Sequence, residues 1–359
     1  MVKFVECTNC HTTLQLPNGA QSIRCALCSA VMTDTIGPRR RTQLSSYMNN
    51  YFLMSGHGRP AAEQRIQPPP AFGRKRALII GITYKKTKYE LKGCINDAKC
   101  MKYLLVNRFK FPQESVIMLT EEERDTHRIP TIQNIRQAIY WLMQGVQAGD
   151  SLVFHFSGHG LQKRSYTSDE IDGYDETLCP LDYETKGMIV DDELNATLVR
   201  PLPRGAKLHA IIDACHSGTM LDLPFFCRMD RTGRYVWEDH RPRSGVWKGT
   251  SGGEAISFSG CDDHQKSADT NSLSKVISTG AMTFSFIQAI ERGQGTTYGS
   301  ILNAIRSSIR SSDSDLGSNI TSSLLTMLIT GGNSGFGMRQ EPQLTANEPF
   351  DVNTRKFSL

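Results

Sequence analysis

The chain has 359 residues and a mass of 40.0 kDa, with 41 Lys plus Arg against 36 Asp plus Glu, a formal net charge of +5. That length suits two average domains, or one large α/β domain with appendages, and is enough to bury a sizeable core. No apolar run approaches the ~18 residues of a membrane span, and the opening Met1-Val2-Lys3-Phe4-Val5-Glu6 lacks a secretory signal's apolar stretch, so neither membrane insertion nor secretion is expected. Ten cysteines are too few for a disulfide scaffold of this size and point to metal or catalysis.

Residues 1–35 carry Cys7-Thr8-Asn9-Cys10 and Cys25-Ala26-Leu27-Cys28, two C-x-x-C pairs separated by fourteen residues. Each pair can set two thiolates on one side of a zinc ion, and the loop between them brings the second pair round to complete a closed tetrahedral site of the structural kind. So short a segment has little core, and metal binding must supply most of its folding free energy.

Between Ile36 and Arg76 eight basic residues (Arg39, Arg40, Arg41, Arg59, Arg65, Arg74, Lys75, Arg76) accompany one acid, Glu63, a local charge of +7. With Pro68-Pro69-Pro70 and no sustained periodicity, residues 36–72 read as a mobile, protease-sensitive linker whose basic character also suits contact with nucleic acid or an acidic surface.

From Arg76 onward apolar strands alternate with helical segments. Strands are predicted at 76–82, 115–119, 151–156, 208–213 and 255–259, and helices at about 96–108, 132–146, 282–291 and 298–310. This alternation predicts an α/β fold, a mostly parallel sheet with helices on both faces. In such sheets the ligand crevice lies beyond the carboxyl ends of the strands.

Two motifs fall at that edge: Ser157-Gly158-His159-Gly160 after the third strand, and Asp213-Ala214-Cys215-His216-Ser217-Gly218 after the fourth. A thiol beside an imidazole supplies a nucleophile with its base, and the flanking glycines free the backbone for a sharp turn. Cys215 is expected to attack a carbonyl carbon while His159 moves the proton. The backbone N–H groups of Gly160 and Cys215 are expected to receive the oxyanion, a contribution of about 2.7–4 kcal/mol per donor in measured systems. His155, within an apolar strand, reads as a core residue.

These two motifs, 56 residues apart, resemble the His and Cys motifs of the caspase-like clan. Caspases have Gln two residues before the nucleophile; here it is Asp213, and the family that carries D-A-C-H-S-G is the metacaspases. The double C-x-x-C segment with Leu14-Gln15-Leu16-Pro17-Asn18-Gly19-Ala20, followed by a Pro-containing linker, resembles the prodomain of plant type I metacaspases and is similar to the lesion-simulating-disease class of zinc fingers. The resemblance implies a caspase-like sheet, with a large catalytic region at about 73–251, a cleavable linker inside it at about 228–251, and a small region at 252–359. It also implies a zymogen with a role in programmed cell death and pathogen defence, active as a monomer.

A carboxylate on the floor of a semi-buried pocket favours a cationic side chain, so Asp213 predicts cleavage after Arg or Lys. The resemblance adds Cys94, Asp97 and Ser157 to that pocket; helix capping is the other reading of Asp97. A second acidic cluster follows His159: Asp169, Glu170, Asp172, Asp175, Glu176, Asp182, Asp191, Asp192 and Glu193. Hard oxygens at this density suit Ca²⁺ without matching an EF-hand, although a solvated acidic face has the same composition. The resemblance assigns an activating calcium site to Asp175, Asp191, Asp192 and Asp222.

Basic residues among Gly and Ser make Arg231, Arg234, Arg243 and Lys248 candidates for self-cleavage; Arg241 is a poor one because Pro242 follows it. The competing reading is a non-catalytic interaction protein that uses the finger to bind partners and the caspase-like domain as a dock. The finger lacks the basic, aromatic-interleaved surface of a nucleic-acid reader. A cytoplasmic location is expected, with the basic tracts leaving a nuclear pool open.

Overall fold

The computed structural model describes residues 3–6, 13–16, 22–24, 31–33, 74–165, 173–215, 217–230, 232–242, 244–261, 281–293, 295–314 and 341–359. The chain divides into two units, Met1–Gln64 and Arg65–Leu359. In the first, strand β1 (Lys3–Glu6) pairs antiparallel with β2 (Thr13–Leu16), and β3 (Ser22–Arg24) with β4 (Val31–Thr33). The cysteines Cys7, Cys10, Cys25 and Cys28, and the 36–72 linker, lie outside the described residues.

The second unit contains β5 (Lys75–Gly81), α1 (Cys94–Asn107), β6 (Val116–Thr120), α2 (Ile132–Met143), β7 (Ser151–Ser157), β8 (Gly160–Arg164), β9 (Tyr174–Leu178), α3 (Tyr183–Lys186) and β10 (Ile189–Val190). After these come α4 (Asp191–Leu194), β11 (Lys207–Asp213), β12 (Phe225–Met229), β13 (Tyr235–Asp239), β14 (Glu254–Cys261), α5 (Ala281–Glu291), α6 (Tyr298–Ser314) and β15 (Glu341–Ala346). Eight strands form one sheet in the order β13-β12-β15-β14-β11-β7-β5-β6. The five from β14 to β6 are parallel, and β15, β12 and β13 extend the sheet with antiparallel pairs.

Alternation along the strands divides the core into two layers. Leu78, Ile80, Leu152, Phe154, Ala210 and Ile212 pack with Ile135, Ile139 and Leu142 of α2. Ala77, Ile79, Val153, Ile211 and Phe258 face the other way, against Ala98 and Met101 of α1, Phe286 of α5 and Ile301 of α6. Helix α2 begins where the Thr131 hydroxyl accepts the Asn134 N–H and the Asp182 carboxylate accepts the Ile132 N–H, satisfying two first-turn donors. Helix α1 crosses the end of β5 so closely that a Cβ at Gly81 would lie 2.5 Å from the Cys94 carbonyl oxygen, so this crossing needs glycine.

Two stretches differ from the sequence reading. The segment after His159, read only as acidic, forms a small antiparallel sheet in the order β10-β9-β8. Much of the 228–251 linker is instead the β12–β13 hairpin of the main sheet, with Phe226 and Cys227 buried. Its turn is stabilised by Asp230, whose carboxylate accepts the backbone N–H groups of Thr232 and Arg234, and by Gly233 at φ 82°. The irregular connection between large-region and small-region strands therefore shrinks to residues 240–253. No helix among the described residues is long and apolar enough to cross a membrane.

Candidate active site

Parallel pairing of β7 with β11 sets Ser157 opposite Asp213. The Gly158 N–H donates to the Asp213 carbonyl at 3.2 Å, so the two chains remain in contact as they leave the sheet. Two residues beyond the matched pair, one chain carries His159 and the other Cys215. Gly160 backs directly onto Cys215: a side chain there would overlap the Cys215 carbonyl oxygen. His159 is buried and Cys215 is partly exposed, an arrangement in which the thiol meets solvent and the imidazole is shielded. The neighbouring His216 lies outside the described residues.

The imidazole is held by Tyr89 and Tyr84. Its Nε2 lies 2.7 Å from the Tyr89 carbonyl, which can only accept, so Nε2 carries the proton and Nδ1 is left as the basic nitrogen of the neutral ring. Burial lowers the His159 pKa, against the opposing pull of the Tyr89 carbonyl, and favours the neutral base. The Tyr84 ring lies 4.6 Å from the imidazole between centroids, its hydroxyl accepts the His159 backbone N–H at 3.0 Å, and the same hydroxyl donates to the Cys179 carbonyl at 2.6 Å. Cys179 is itself buried, with its thiol pushed up to about 12 by burial and then by Cys215, so it is no competing nucleophile. Tyr84, Tyr89 and the Cys179 backbone escaped the sequence reading. The position of Tyr84 just past the carboxyl end of β5 was the available signal.

Ser157 and Asp213 point to the α1–α5 side of the sheet, and there the acids converge. The Ser157 hydroxyl donates to Asp97 at 2.9 Å, and the Asp213 carboxylate accepts the Thr283 N–H, in the first turn of α5, at 2.8 Å. Asp97 lies in the first turn of α1 but bonds across to β7 rather than capping its own helix, whose N-cap is Gly93 at φ 103°. Burial and then the Asp213 charge push the Asp97 carboxyl up to about 8. Cys94, at the start of α1, is fully buried. Two buried carboxyl groups side by side favour any cationic group that can reach them. His155, on the same strand face, is fully buried with Nε2 3.2 Å from the Thr283 hydroxyl, and burial lowers its pKa to about 3, as a neutral core residue requires.

The second acidic cluster joins β9, α4 and the segment after β11. Asp191 is buried and accepts the backbone N–H groups of Glu176 at 2.6 Å and Asp192 at 2.8 Å. The buried Oδ1 of Asp175 has no hydrogen-bond partner. Asp192 and Asp222 converge on Lys248, whose Nζ lies 2.6 Å from one and 2.7 Å from the other. Burial raises the Asp222 carboxyl to about 6; for Lys248 burial is outweighed by Asp222 and Asp192, and its pKa is raised. Among the described residues no three acidic, His or Cys side chains already form a metal-ready group. The donor chemistry fits a hard cation, with Asp175 offering an oxygen that nothing else uses and Lys248 engaging two of the other carboxylates.

Of the basic residues considered for self-cleavage, Arg234 is well exposed in the hairpin turn, with its side chain 79% accessible. Arg231 and Arg243 lie outside the described residues. Lys248 is 3% accessible, so in this conformation it is not offered to a protease. Arg and Lys among Gly and Ser suggest exposure, but here a partner distant in sequence decides it.

Comparison with known proteins agrees with these features. Residues 75–224 match the family described as metacaspase, peptidase C14 domain, and residues 7–31 match the LSD1 zinc finger. Metacaspase-1 of Arabidopsis thaliana is 62% identical over 359 residues, covering 99% of this chain and 96% of that protein. Metacaspase-2 of the same plant is 48% identical over 418 residues, covering 100% of both, and its Metacaspase-3 is 51% identical over 296 residues, 82% of this chain and 78% of that one. Similarity of this extent takes in finger, linker and sheet together: the chain belongs to the metacaspases, cysteine endopeptidases of caspase-like fold, and has the plant type I arrangement with a zinc finger ahead of the catalytic region.

Proposed function

We propose that this metacaspase cuts polypeptides after Arg or Lys through an acyl-enzyme on Cys215, is switched on by calcium, and processes its own chain. The observation that carries the reading is the Ser157–Asp213 register, which couples the Cys215 and His159 chains to the buried acid pair Asp97 and Asp213. The side chain before the cut bond reaches that pair, and its charge is stabilised by Asp213 and Asp97. The basic Nδ1 of His159 takes the Cys215 proton, and the thiolate attacks the carbonyl carbon.

The oxyanion is received by the Cys215 and Gly160 N–H groups. Gly160 stands opposite Leu178 while the Cys179 N–H bonds the His159 carbonyl, so by antiparallel alternation the Gly160 N–H faces away from β9 and is available. His159 then protonates the leaving amine, and water attacks the thioester to regenerate the thiol. Tyr89 and Tyr84 act by holding the imidazole in place.

Calcium, when bound by Asp175, Asp191, Asp192 and Asp222, would supply charge neutralisation that orders the acidic segment rather than any step of the reaction. Zinc at Cys7, Cys10, Cys25 and Cys28 would fold the finger, which serves as a protein-interaction module. Self-processing at Arg231, Arg234, Arg243 or Lys248, a monomeric active form, a cytoplasmic pool, and a part in programmed cell death and defence complete the proposal, on the strength of the family.

The test is hydrolysis of matched fluorogenic peptides ending in Arg, Lys or Asp, with and without calcium, by the wild type, Cys215→Ala and Asp213→Ala. Calcium-dependent cleavage after Arg and Lys, lost in both variants, is the expected result. Cleavage after Asp would overturn the pocket, and calcium-independent cleavage the switch.

A further inference from the structure

The connection from β13 to β14 is held in an unusual way. Val246 and Trp247, its large apolar side chains, are exposed, Trp247 at 68%, whereas the Lys248 side chain beside them is buried. The Lys248 ammonium bridges Asp192 on α4 and Asp222 in the segment after β11, 56 and 26 residues away in sequence. Its carbonyl accepts Nδ2 of Asn195 at 2.9 Å, and that same amide nitrogen donates to the Leu221 carbonyl at 2.9 Å. Asp222 itself sits at φ 50°, a conformation uncommon for a non-glycine residue, next to the atoms it presents to Lys248. The stretch before Thr250 is therefore anchored by one internal cation and the Asn195 amide rather than by its large apolar side chains, while Ser251 and Gly253 are pinned separately to Arg200 and Leu202.

We propose that Lys248 is the protein's own competitor for calcium: calcium entering the acidic cluster takes Asp192 and Asp222, ejects the Lys248 ammonium, and loosens the stretch around it ahead of the Ser251–Gly253 anchor. This rests on the calcium reading given above. A divalent ion within reach of the same two carboxylates both removes the partners of the ammonium and repels it, so the two cations exclude each other. Ejection exposes the Lys248–Gly249 bond, which carries the side-chain type that the Asp97–Asp213 pair suits. One event would then order the acidic segment and offer the interdomain connection for cutting. It also reconciles a basic, Gly-flanked cleavage sequence with its burial in the resting fold.

The test uses the full-length Cys215→Ala chain, which cannot cut itself. Limited trypsin digestion, with fragments identified by mass spectrometry, should cut after Lys248 at least about tenfold faster with calcium than with magnesium, since cleavage follows the open population. Cutting after Arg234, exposed in either state, serves as the internal reference and should not change. Titration calorimetry should show calcium binding about fivefold or more tighter when Lys248→Gln is added, because no ammonium has to be displaced. Calcium binding with Lys248 still protected, or with affinity unchanged or weakened in Lys248→Gln, overturns the competitor while leaving the calcium reading standing. Absence of any calcium binding overturns both. Should Lys248→Gln fail to fold, the trypsin comparison on Cys215→Ala decides alone.

Discussion

Tyr84 fixes both the backbone and the ring of His159: its hydroxyl accepts the His159 N–H at 3.0 Å while its ring lies against the imidazole. The same hydroxyl donates to the Cys179 carbonyl, so one oxygen ties together the segments on either side of the small β8–β9 sheet. In Tyr84→Phe the ring remains but two buried backbone groups lose their partner. Each unsatisfied group costs about 1–3 kcal/mol. The expected outcome is a lower melting temperature, by roughly 2–4 °C per kcal/mol, with kcat reduced more than KM. Thermal unfolding and steady-state hydrolysis of an Arg peptide check both.

Tyr84 stands at φ 54°, and the reason lies in Glu121 just after β6. The Glu121 carboxylate accepts the backbone N–H groups of Thr83 at 2.5 Å, Tyr84 at 3.0 Å and Lys85 at 3.0 Å, wrapping three successive donors round one anion. Glu121→Ala removes that acceptor, and the turn carrying Tyr84 relaxes. Activity should fall about tenfold or more through misplacement of the imidazole, and amide exchange at 83–85 should rise. Unchanged exchange with unchanged activity would show that the turn is held by other means.

Gly160 gives a sharper geometric test. A methyl group there would overlap the Cys215 carbonyl oxygen and press on the Ala214 side chain at 3.2 Å. Backbone must yield, at the point where the two catalytic chains touch. Gly160→Ala is expected to fold, since the site is at the sheet's edge, and to lose about a hundredfold in kcat/KM, the cost of a displacement near 1 Å. Circular dichroism with peptide hydrolysis separates the two effects.

What could be read in advance and what could not follows a physical line. Strands such as Leu78-Ile79-Ile80 and Ile211-Ile212 declare themselves because both faces are buried, and the Gly-His-Gly and Asp-Ala-Cys motifs are local. Short strands like Phe225–Met229, half apolar and basic at one end, gain their identity only from β15, more than a hundred residues later, and do not stand out in the sequence. Lys248 illustrates the same limit at the level of chemistry. Its neighbours in sequence suggest exposure, while its partners Asp192 and Asp222 make it one of the most buried charges described.

The Asp97 carboxyl provides the prediction with a defined sign. Burial and the charge of Asp213 raise it to about 8, so at pH 6 it is protonated and at pH 9 ionised. A group whose folded pKa lies above its unfolded value stabilises the fold fully below the unfolded value, and that contribution is lost as pH rises from about 4 through about 8. Wild type should therefore lose melting temperature across this window relative to Asp97→Asn, which keeps a partner for the Ser157 hydroxyl without titrating. A cationic side chain reaching the pair favours the ionised form, so its binding releases a proton. KM for an Arg peptide should accordingly fall as pH rises toward 8, by at most about tenfold per pH unit for one proton released, and level off above it; a peptide with a neutral residue at that position should lack the trend. In Asp97→Asn the pH dependence of KM should flatten while Cys215 and His159 still set that of kcat. A pH profile of KM for Arg peptide that is the same in Asp97→Asn and wild type would mean that Asp97 does not meet the substrate's charge, and that Asp213 alone does.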